Sequence, residues 1–281
     1  MLKGLGRTGA PGRFVGAIAM ALANLIVVPQ VRGADYTVRD VTSALFKASR
    51  DTPVDFADAN LSLLDLSKLD FKRSVLTGAD LYGSDLTGSS LVGADLSGTR
   101  LDRATIIGAD FSEANLEDAT LLRPTTGTGV TYAGPDFDVA QMARFARAKM
   151  ARVHIIARLE RADFRGADLT GARFTPVVTR SNTIATTPFS ELAGADFSQA
   201  TLVGVEMTKA DLRFARFHRA DLSGADLREA RLARADFTGA DLTGADLTGA
   251  EIEGAIFDGA KGLETVKGMD MAVSPAGEAG R

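Results

Sequence analysis

The side chains best suited to chemistry are two histidines, His154 and His218, in a chain that contains no cysteine. Neither histidine has further ligand-type residues at the spacing that zinc sites use, and the lack of cysteine excludes thiolate chemistry. Serine and aspartate recur so often that a Ser-His-Asp combination carries little information. The glycine- and aspartate-rich nine-residue frame of calcium-binding β-helices is absent. The sequence therefore predicts no enzyme, no cofactor and no metal site.

A second group of reactive side chains is a cluster of cations in the middle of the chain. Only Glu160 and Asp163 oppose this cluster within the same stretch. Such a cluster can attract an anionic surface or partner, and the alternative interpretation is an ordinary solvated surface. No aromatic platform accompanies the cations, which argues against a nucleic-acid partner. The cluster consists of Arg144, Arg147, Lys149, Arg152, Arg158, Arg161 and Arg165.

The element that must position these side chains is a five-residue repeat, clearest over residues 190–259. The third residue of each group is Leu, Phe, Met or Ile, the first is mostly Ala and the fifth is often Gly. Short internal periods are typical of stacked solenoids, in which one unit cannot bury its apolar face alone. A second period of twenty residues predicts four five-residue sides to each coil, with one column of interior rings. The residues with this spacing are Phe197, Phe217, Phe237 and Phe257.

The consecutive ADLTG units at 240–249 resemble the pentapeptide-repeat family, whose pattern is A(D/N)LXX. The resemblance covers most of the chain beyond residue 34. It implies an all-β fold, a right-handed quadrilateral β-helix with four five-residue sides to each coil. The best-known members of the family are described as DNA mimics that bind DNA gyrase, and these commonly dimerise through a C-terminal helix. No convincing amphipathic helix follows the last coil of this sequence, which puts such a dimer in doubt.

The first 34 residues are typical of a Sec-type export signal. Lys3, Arg7 and Arg13 precede an uncharged run of fifteen residues at 14–28, which is short for a membrane span. An uncleaved N-terminal anchor is the alternative. Removal of the segment would remove these cations and Arg32 but no acid, and the net charge would change from −4 to −8.

A short helix is predicted at the start of the coil, where it would cover core side chains and strand edges. Thr37 and Asp40 fit a capping box, Val41, Leu45 and Phe46 are assigned to one face, and Pro53 is expected to stop the helix.

Two stretches rich in turn-forming residues interrupt the repeat and are predicted to be surface loops.

Residues 143–159 fit either a helix or the coil, and coil explains more residues if one side near Ile156 and Ala157 is a residue short. In chain order the predicted segments are a signal peptide at 1–34, a helical cap at 35–53, repeat block 1 at 54–123, a loop insertion at 124–142, repeat block 2 with its frame slip at 143–174, a loop insertion at 175–189, repeat block 3 at 190–259 and a partly disordered C-terminal tail at 260–281.

Outward residues that recur every twenty positions form ladders along each side of the coil. Two adjacent sides of the last block are acidic, and the other two alternate acids with arginine. The acidic sides suggest a polyanion mimic, and the alternative is that each aspartate serves the repeat through local backbone hydrogen bonds. The acidic candidates are Glu206, Asp226 and Asp246 on one side and Asp221 and Asp241, with Thr201, on its neighbour.

Together these features favour a non-enzymatic, exported β-solenoid that acts as a protein-binding or scaffold surface in the cell envelope, either periplasmic or secreted. The expected partner is a protein or an anionic envelope component, with membrane contact only through an uncleaved leader and with end-to-end coil association left open. An acidic DNA mimic that binds DNA gyrase is the alternative, and it requires a chain that is not exported. A hydrolase of envelope material is a second, disfavoured alternative because no catalytic constellation is evident.

Overall fold

The computed structural model divides the chain into two units, Met1–Arg32 and Gly33–Arg281. The structure describes residues 34–49, 51–127, 141–176 and 189–270. The predicted signal peptide, except for Ala34, most of both predicted loops and the end of the predicted tail therefore lie outside the described residues. All of the described residues belong to the second unit. Within its described part, no helix has the length and apolar character needed to span a bilayer.

Helix α1, Val38–Lys47, begins in a reciprocal capping box. The Asp40 backbone donates to the Thr37 hydroxyl at 3.2 Å, and the Thr37 backbone donates to the Asp40 carboxylate at 2.9 Å. Val41 and Leu45 are buried against the coil.

Two expectations for α1 were wrong. Phe46 is 86% exposed rather than on the buried face, because five residues of helix place it well away from the direction of Val41. The helix ends at Lys47, well before Pro53, since Ala48 adopts an extended conformation.

The coil that follows has four sides, and where the repeat is uninterrupted each bridge residue pairs with the residue twenty positions later. The first four such parallel bridges are Asp55–Val75, Asn60–Asp80, Asp65–Asp85 and Asp70–Ser90. Every residue predicted to point inward from Phe56 to Leu121 is buried.

One unit shows how the chain turns at each corner. The backbone N–H of Ala79 donates to the Leu76 carbonyl at 2.9 Å, and Gly78 between them has a φ of +67°. Glycine suits this left-handed conformation because it has no Cβ.

The phenylalanines form one continuous interior column that is longer than the four rings predicted. Neighbouring centroids lie 4.8–5.2 Å apart, with ring planes within 7° of parallel. This separation matches the spacing of hydrogen-bonded strands. The column consists of Phe111, Phe145, Phe164, Phe197, Phe217, Phe237 and Phe257.

Residues 143–159 form coil rather than a helix, and one side of this coil is four residues long. The bridges that follow, such as Lys149–Asp168, join residues nineteen positions apart. The shortened side contains strand β2, His154–Ile156, which pairs in parallel with strand β1, Thr120–Leu122. Because the side has no left-handed turn residue, the chain stays extended and all three residues of β2 are buried.

Two insertions lengthen individual coils without breaking the stack. Asp110 pairs with Arg144 across the first insertion, a separation of 34 residues, and Arg158 pairs with Glu191 across the second, a separation of 33. The coil on each side of an insertion is therefore in direct hydrogen-bonded contact.

Pairing continues beyond Gly259, where the repeat frame was predicted to fail. Lys261 pairs with Asp241, and Lys267 pairs with Asp246 after a 3-10 helix at Leu263–Thr265. The five-residue pattern does not reveal this last coil, because Gly262 follows Lys261 where an apolar residue is expected.

Candidate interaction surface

We name the four sides by the bridge residues that run along them. The first face begins at Asp55, the second at Asn60, the third at Asp65 and the fourth at Asp70. Each face therefore carries one outward ladder with a rung in every coil, and the left-handed residues line the corners between faces.

The two histidines are on different faces and are not brought together. His154 lies on the second face, and it is buried rather than outward as expected, with its Nε2 atom 2.8 Å from the Thr175 carbonyl oxygen. His218 lies on the fourth face, with its Nε2 atom 2.6 Å from the Asp236 carboxylate. Among the described residues no group of three or more His, Cys, Asp or Glu side chains is arranged to hold a metal ion.

The predicted cations are distributed over three faces, and most of them pair with acids. Arg144 lies on the fourth face and Arg147 at its corner with the first face, and their guanidinium nitrogens are 2.9 Å from Asp110 and 2.6 Å from Glu113. The hydrogen bond from Arg147 lowers the pKa of Glu113.

Arg152, at the corner between the first and second faces, bonds to Asp118 at 2.7 Å, and Arg158 on the third face bonds to Glu191 at 3.0 Å. Lys149, on the first face, is exposed. Most of the cluster is therefore compensated by acids that sequence spacing does not bring near, because they lie across the insertions.

The acidic candidates do lie on adjacent faces, the second and the first. Asp221, Asp241 and Asp246 each accept a hydrogen bond from a backbone N–H two residues later, at 3.0 Å. These aspartates therefore make the local backbone hydrogen bonds that were the alternative to a polyanion mimic. Hydrogen bonds from Thr243 and Thr248 lower the pKa values of Asp241 and Asp246, so both carboxylates stay ionised near neutral pH.

Asp226 in the same group is compensated. Both of its oxygens accept from the Arg228 guanidinium, at 2.8 and 2.6 Å. These hydrogen bonds lower the pKa of Asp226 and place a positive charge beside the acidic ladder between Glu206 and Asp246. The two faces are thus less anionic than the aspartates alone suggest.

An open groove with a volume of about 960 Å³ follows the corner between the third and fourth faces. Its floor is the fourth-face ladder, and one wall is the row of left-handed corner residues. The floor consists of Arg144, Asp163, Asp196, Arg216, Asp236 and Ile256, and the other lining residues are Met142, Arg161, Arg165, Gly194, Phe214 and Arg234.

Ion pairs order the floor of this groove. Arg165 donates to both oxygens of Asp163, at 2.8 and 2.7 Å. Burial raises the pKa of the Asp163 carboxyl, but the hydrogen bonds from Arg165 outweigh it and the net pKa is lowered. The next pair, Arg216 and Asp196, is looser at 3.7 Å.

Phe214 stands out in the wall of the groove. Its side chain is 53% exposed, its φ is +61°, and the Arg234 guanidinium lies 5.8 Å from the ring centroid. The groove is not evident in the sequence, because the residues that line it come from separate stretches and include corner positions. The signal that could have found it is a phenylalanine where the repeat more often has glycine.

A four-sided coil of five-residue units with a filled interior defines the class of the protein, a β-solenoid repeat protein. The chain belongs to the pentapeptide-repeat family, whose model matches it in eight copies. The fold of this family is a right-handed quadrilateral β-helix, in agreement with the four-sided pairing. The matched residues are 55–91, 79–118, 157–175, 190–228 and 225–261.

Solved structures with a similar fold come from diverse proteins. HetL, a pentapeptide repeat protein involved in heterocyst differentiation regulation in the cyanobacterium Nostoc, is 24% identical, with 87% of this chain and 100% of that chain covered and a TM-score of 0.39. Full-length QnrB1, a plasmid-mediated fluoroquinolone resistance protein, is 22% identical, with 76% and 96% covered and a TM-score of 0.39. A pentapeptide repeat protein of the Arabidopsis thaliana thylakoid lumen is 28% identical, with 48% and 76% covered and a TM-score of 0.26. No curated protein matches the chain.

Proposed function

We propose that this protein is a non-catalytic, exported binding scaffold that presents its outward ladders to a protein partner in the cell envelope. The observation that carries the proposal is the filled interior of the coil. Inward Leu, Phe and corner Ala residues are almost completely buried, and every buried side-chain nitrogen or oxygen of the described residues has a hydrogen-bond partner. A ligand is therefore left with the outer surface of the coil.

The arrangement of titratable groups supports a binding role over catalysis. General acid–base or nucleophilic chemistry requires side chains within hydrogen-bond reach of one another and of a substrate. The Nε2 atom of His154 is buried against a backbone carbonyl, and His218 contacts Asp236 on an open face. Most other charged pairs join adjacent rungs or neighbours within one unit, which is the pattern of a stabilised surface.

Helix α1 acts in this proposal as a cap on the N-terminal end of the coil. Val41 and Leu45 cover the first coil, and the Lys72 ammonium donates to the Leu45 and Ala48 carbonyls at 2.8 and 3.1 Å. An end covered in this way is not available for end-to-end stacking.

Photo-crosslinking from each face tests the binding role. A photoreactive amino acid placed at Thr243, Glu253 or Asp258 reports on the first, third or fourth face, and one placed at Glu229 reports on the corner between the second and third faces. We expect a discrete protein adduct from one face or two neighbouring faces in intact cells. Absence of adducts from all four positions would contradict the proposal.

Export is tested by the intact mass of the protein recovered from fractionated cells. The basic start and apolar run of residues 1–34 support this part of the proposal. We expect a periplasmic or secreted species that begins at Ala34 or Asp35. A cytoplasmic species that retains Met1 would refute export.

A gyrase-directed DNA mimic is the second candidate, favoured by the adjacent ladders that contain Asp221 and Asp241 on one face and Glu206 and Asp246 on the next. The Arg228 guanidinium on Asp226 weakens this resemblance to a polyanion. A cytoplasmic chain that inhibits gyrase supercoiling would support the mimic, whereas an exported chain is separated from gyrase.

A further inference from the structure

We propose that the groove between the third and fourth faces binds an extended acidic peptide segment that bears an apolar side chain, and that this side chain packs on Phe214. The inference rests on the proposed binding function and names the site and the chemistry of the partner.

The conformation of Phe214 is the first observation. Among the non-glycine residues of the described chain with positive φ, only Leu63 and Phe214 are apolar. The same corner row contains Gly194 one coil earlier and Gly254 two coils later, both with positive φ. A bulky side chain is unfavourable in this conformation, and here it also leaves an aromatic ring in water. The ring lies outside the buried core, and its exposure in a left-handed turn points to a role in contact with another molecule.

The balance of charge in the groove is the second observation. Its lining contains five arginines and three aspartates. Asp163 is fully engaged by Arg165, whereas the Arg234 guanidinium lies over the Phe214 ring. Arg216, whose contact with Asp196 is loose at 3.7 Å, and Arg234 can donate hydrogen bonds to carboxylates of a partner, and Arg234 and Phe214 together offer a cation beside an apolar surface.

The mixture of charges favours a peptide over other anions. A uniform polyanion such as nucleic acid would be repelled by Asp163 and Asp196, which lie between Arg144 and Arg216 on the floor, and by Asp236, which follows Arg216. A peptide has acidic side chains for the arginines and backbone N–H groups for the aspartates. The groove also has an apolar residue at each end, Met142 and Ile256.

The length of the groove agrees with the binding of an extended peptide. Six consecutive rungs, from Arg144 to Ile256, form the floor. At the usual strand spacing they extend for about 24 Å, which is the length of about seven residues of extended peptide.

The test is a fluorescence anisotropy titration of the full-length protein. The probe is a fluorescein-labelled acidic peptide with a central phenylalanine and a leucine three positions later. Its counterpart with every acid replaced by the matching amide, and a labelled single-stranded oligonucleotide of similar length, are the controls. We expect saturable binding of the acidic peptide alone. Lack of binding, or equal binding of the amide peptide or the oligonucleotide, would overturn the inference.

Matched variants locate the site. Phe214→Gly and Arg234→Glu are each expected to weaken peptide binding at least ten-fold. Leu63→Gly and Arg103→Glu change an apolar residue and an arginine at left-handed positions outside the groove, and they are expected to bind as the parent does. Unchanged binding by Phe214→Gly would refute the role of the ring.

The variants also separate this inference from the proposed function. Phe214→Gly relieves an unfavourable backbone conformation, so its melting temperature should not fall and a loss of binding is not a loss of folding. If the photo-crosslinked partner is captured equally by the parent and by Phe214→Gly with Arg234→Glu, the groove assignment is wrong while the scaffold function stands. If the partner adduct and the peptide complex are both lost in this variant, the groove assignment is supported.

Discussion

Arg152 and Asp118 form a two-point ion pair across the first insertion, although 34 residues separate them in sequence. The Arg152 Nε and Nη2 atoms lie 2.7 Å from the two carboxylate oxygens of Asp118. Arg144 and Arg147 cross the same insertion with one hydrogen bond each, to Asp110 and to Glu113. The cations that the sequence marks as a binding patch therefore join the coil on one side of the insertion to the coil on the other.

This pairing predicts a pH dependence. The hydrogen bond from Arg152 lowers the pKa of Asp118, so the pair stabilises the folded state above the ordinary aspartate pKa of about 3.9. The contribution is lost as the pH falls through the lowered folded-state pKa. In Arg152→Gln we expect the pKa of Asp118 to return toward its ordinary value in a carboxyl NMR titration. An unchanged titration curve would show that the pair does not persist in solution.

The phenylalanine column predicts that truncation of one of its rings greatly lowers the free energy of unfolding. Phe217 is fully buried between Phe197 and Phe237, at centroid distances of 5.1 and 4.9 Å. Phe217→Ala is expected to reduce the free energy of unfolding by about 3–5 kcal/mol in urea titrations. Phe46→Ala is the control, because the Phe46 ring is 86% exposed and its removal takes away little buried surface. Similar losses in the two variants would contradict the assignment of the column to the core.

Sequence predicted the interior of this protein far better than its surface. Leu76 and Phe217 were assignable because the five-residue frame repeats with little variation and one residue type fits each inward position. The pairing of Arg152 with Asp118 could not be predicted, because the length of an insertion does not reveal which residue after it pairs with the preceding coil. Met142, Phe214 and Ile256 line one groove only because the coil stacks residues that are distant in sequence along one corner. A one-dimensional pattern records the direction of each side chain but not its neighbours in adjacent coils.

The last coil predicts a contrast between two glycines with the same backbone conformation. A Cβ at Gly262 (φ +71°) would lie 2.5 Å from the Thr243 Cα atom, whereas a Cβ at Gly224 (φ +67°) meets nothing within 4 Å. Gly224→Ala should lose only the cost of a left-handed alanine, about 1–2 kcal/mol. Gly262→Ala should in addition separate the last coil from the stack and speed hydrogen exchange at Lys261 and Lys267. Equal exchange in the two variants would refute this packing of the C-terminal coil.

The cap at the opposite end predicts a specific role for one lysine. The Lys72 ammonium donates to the Leu45 and Ala48 carbonyls, which lie at the C-terminal end of α1 where helix carbonyls lack partners. Lys72→Met keeps the aliphatic stem but removes these charged hydrogen bonds, each of a kind that contributes about 1.5–3 kcal/mol. We expect faster hydrogen exchange within Val38–Lys47 while the coil beyond Leu76 keeps its protection. Lys68→Met is the control, because Lys68 is also a turn lysine with positive φ, lies one unit earlier and is exposed. If both variants leave exchange in α1 unchanged, the helix is held by Val41 and Leu45 alone.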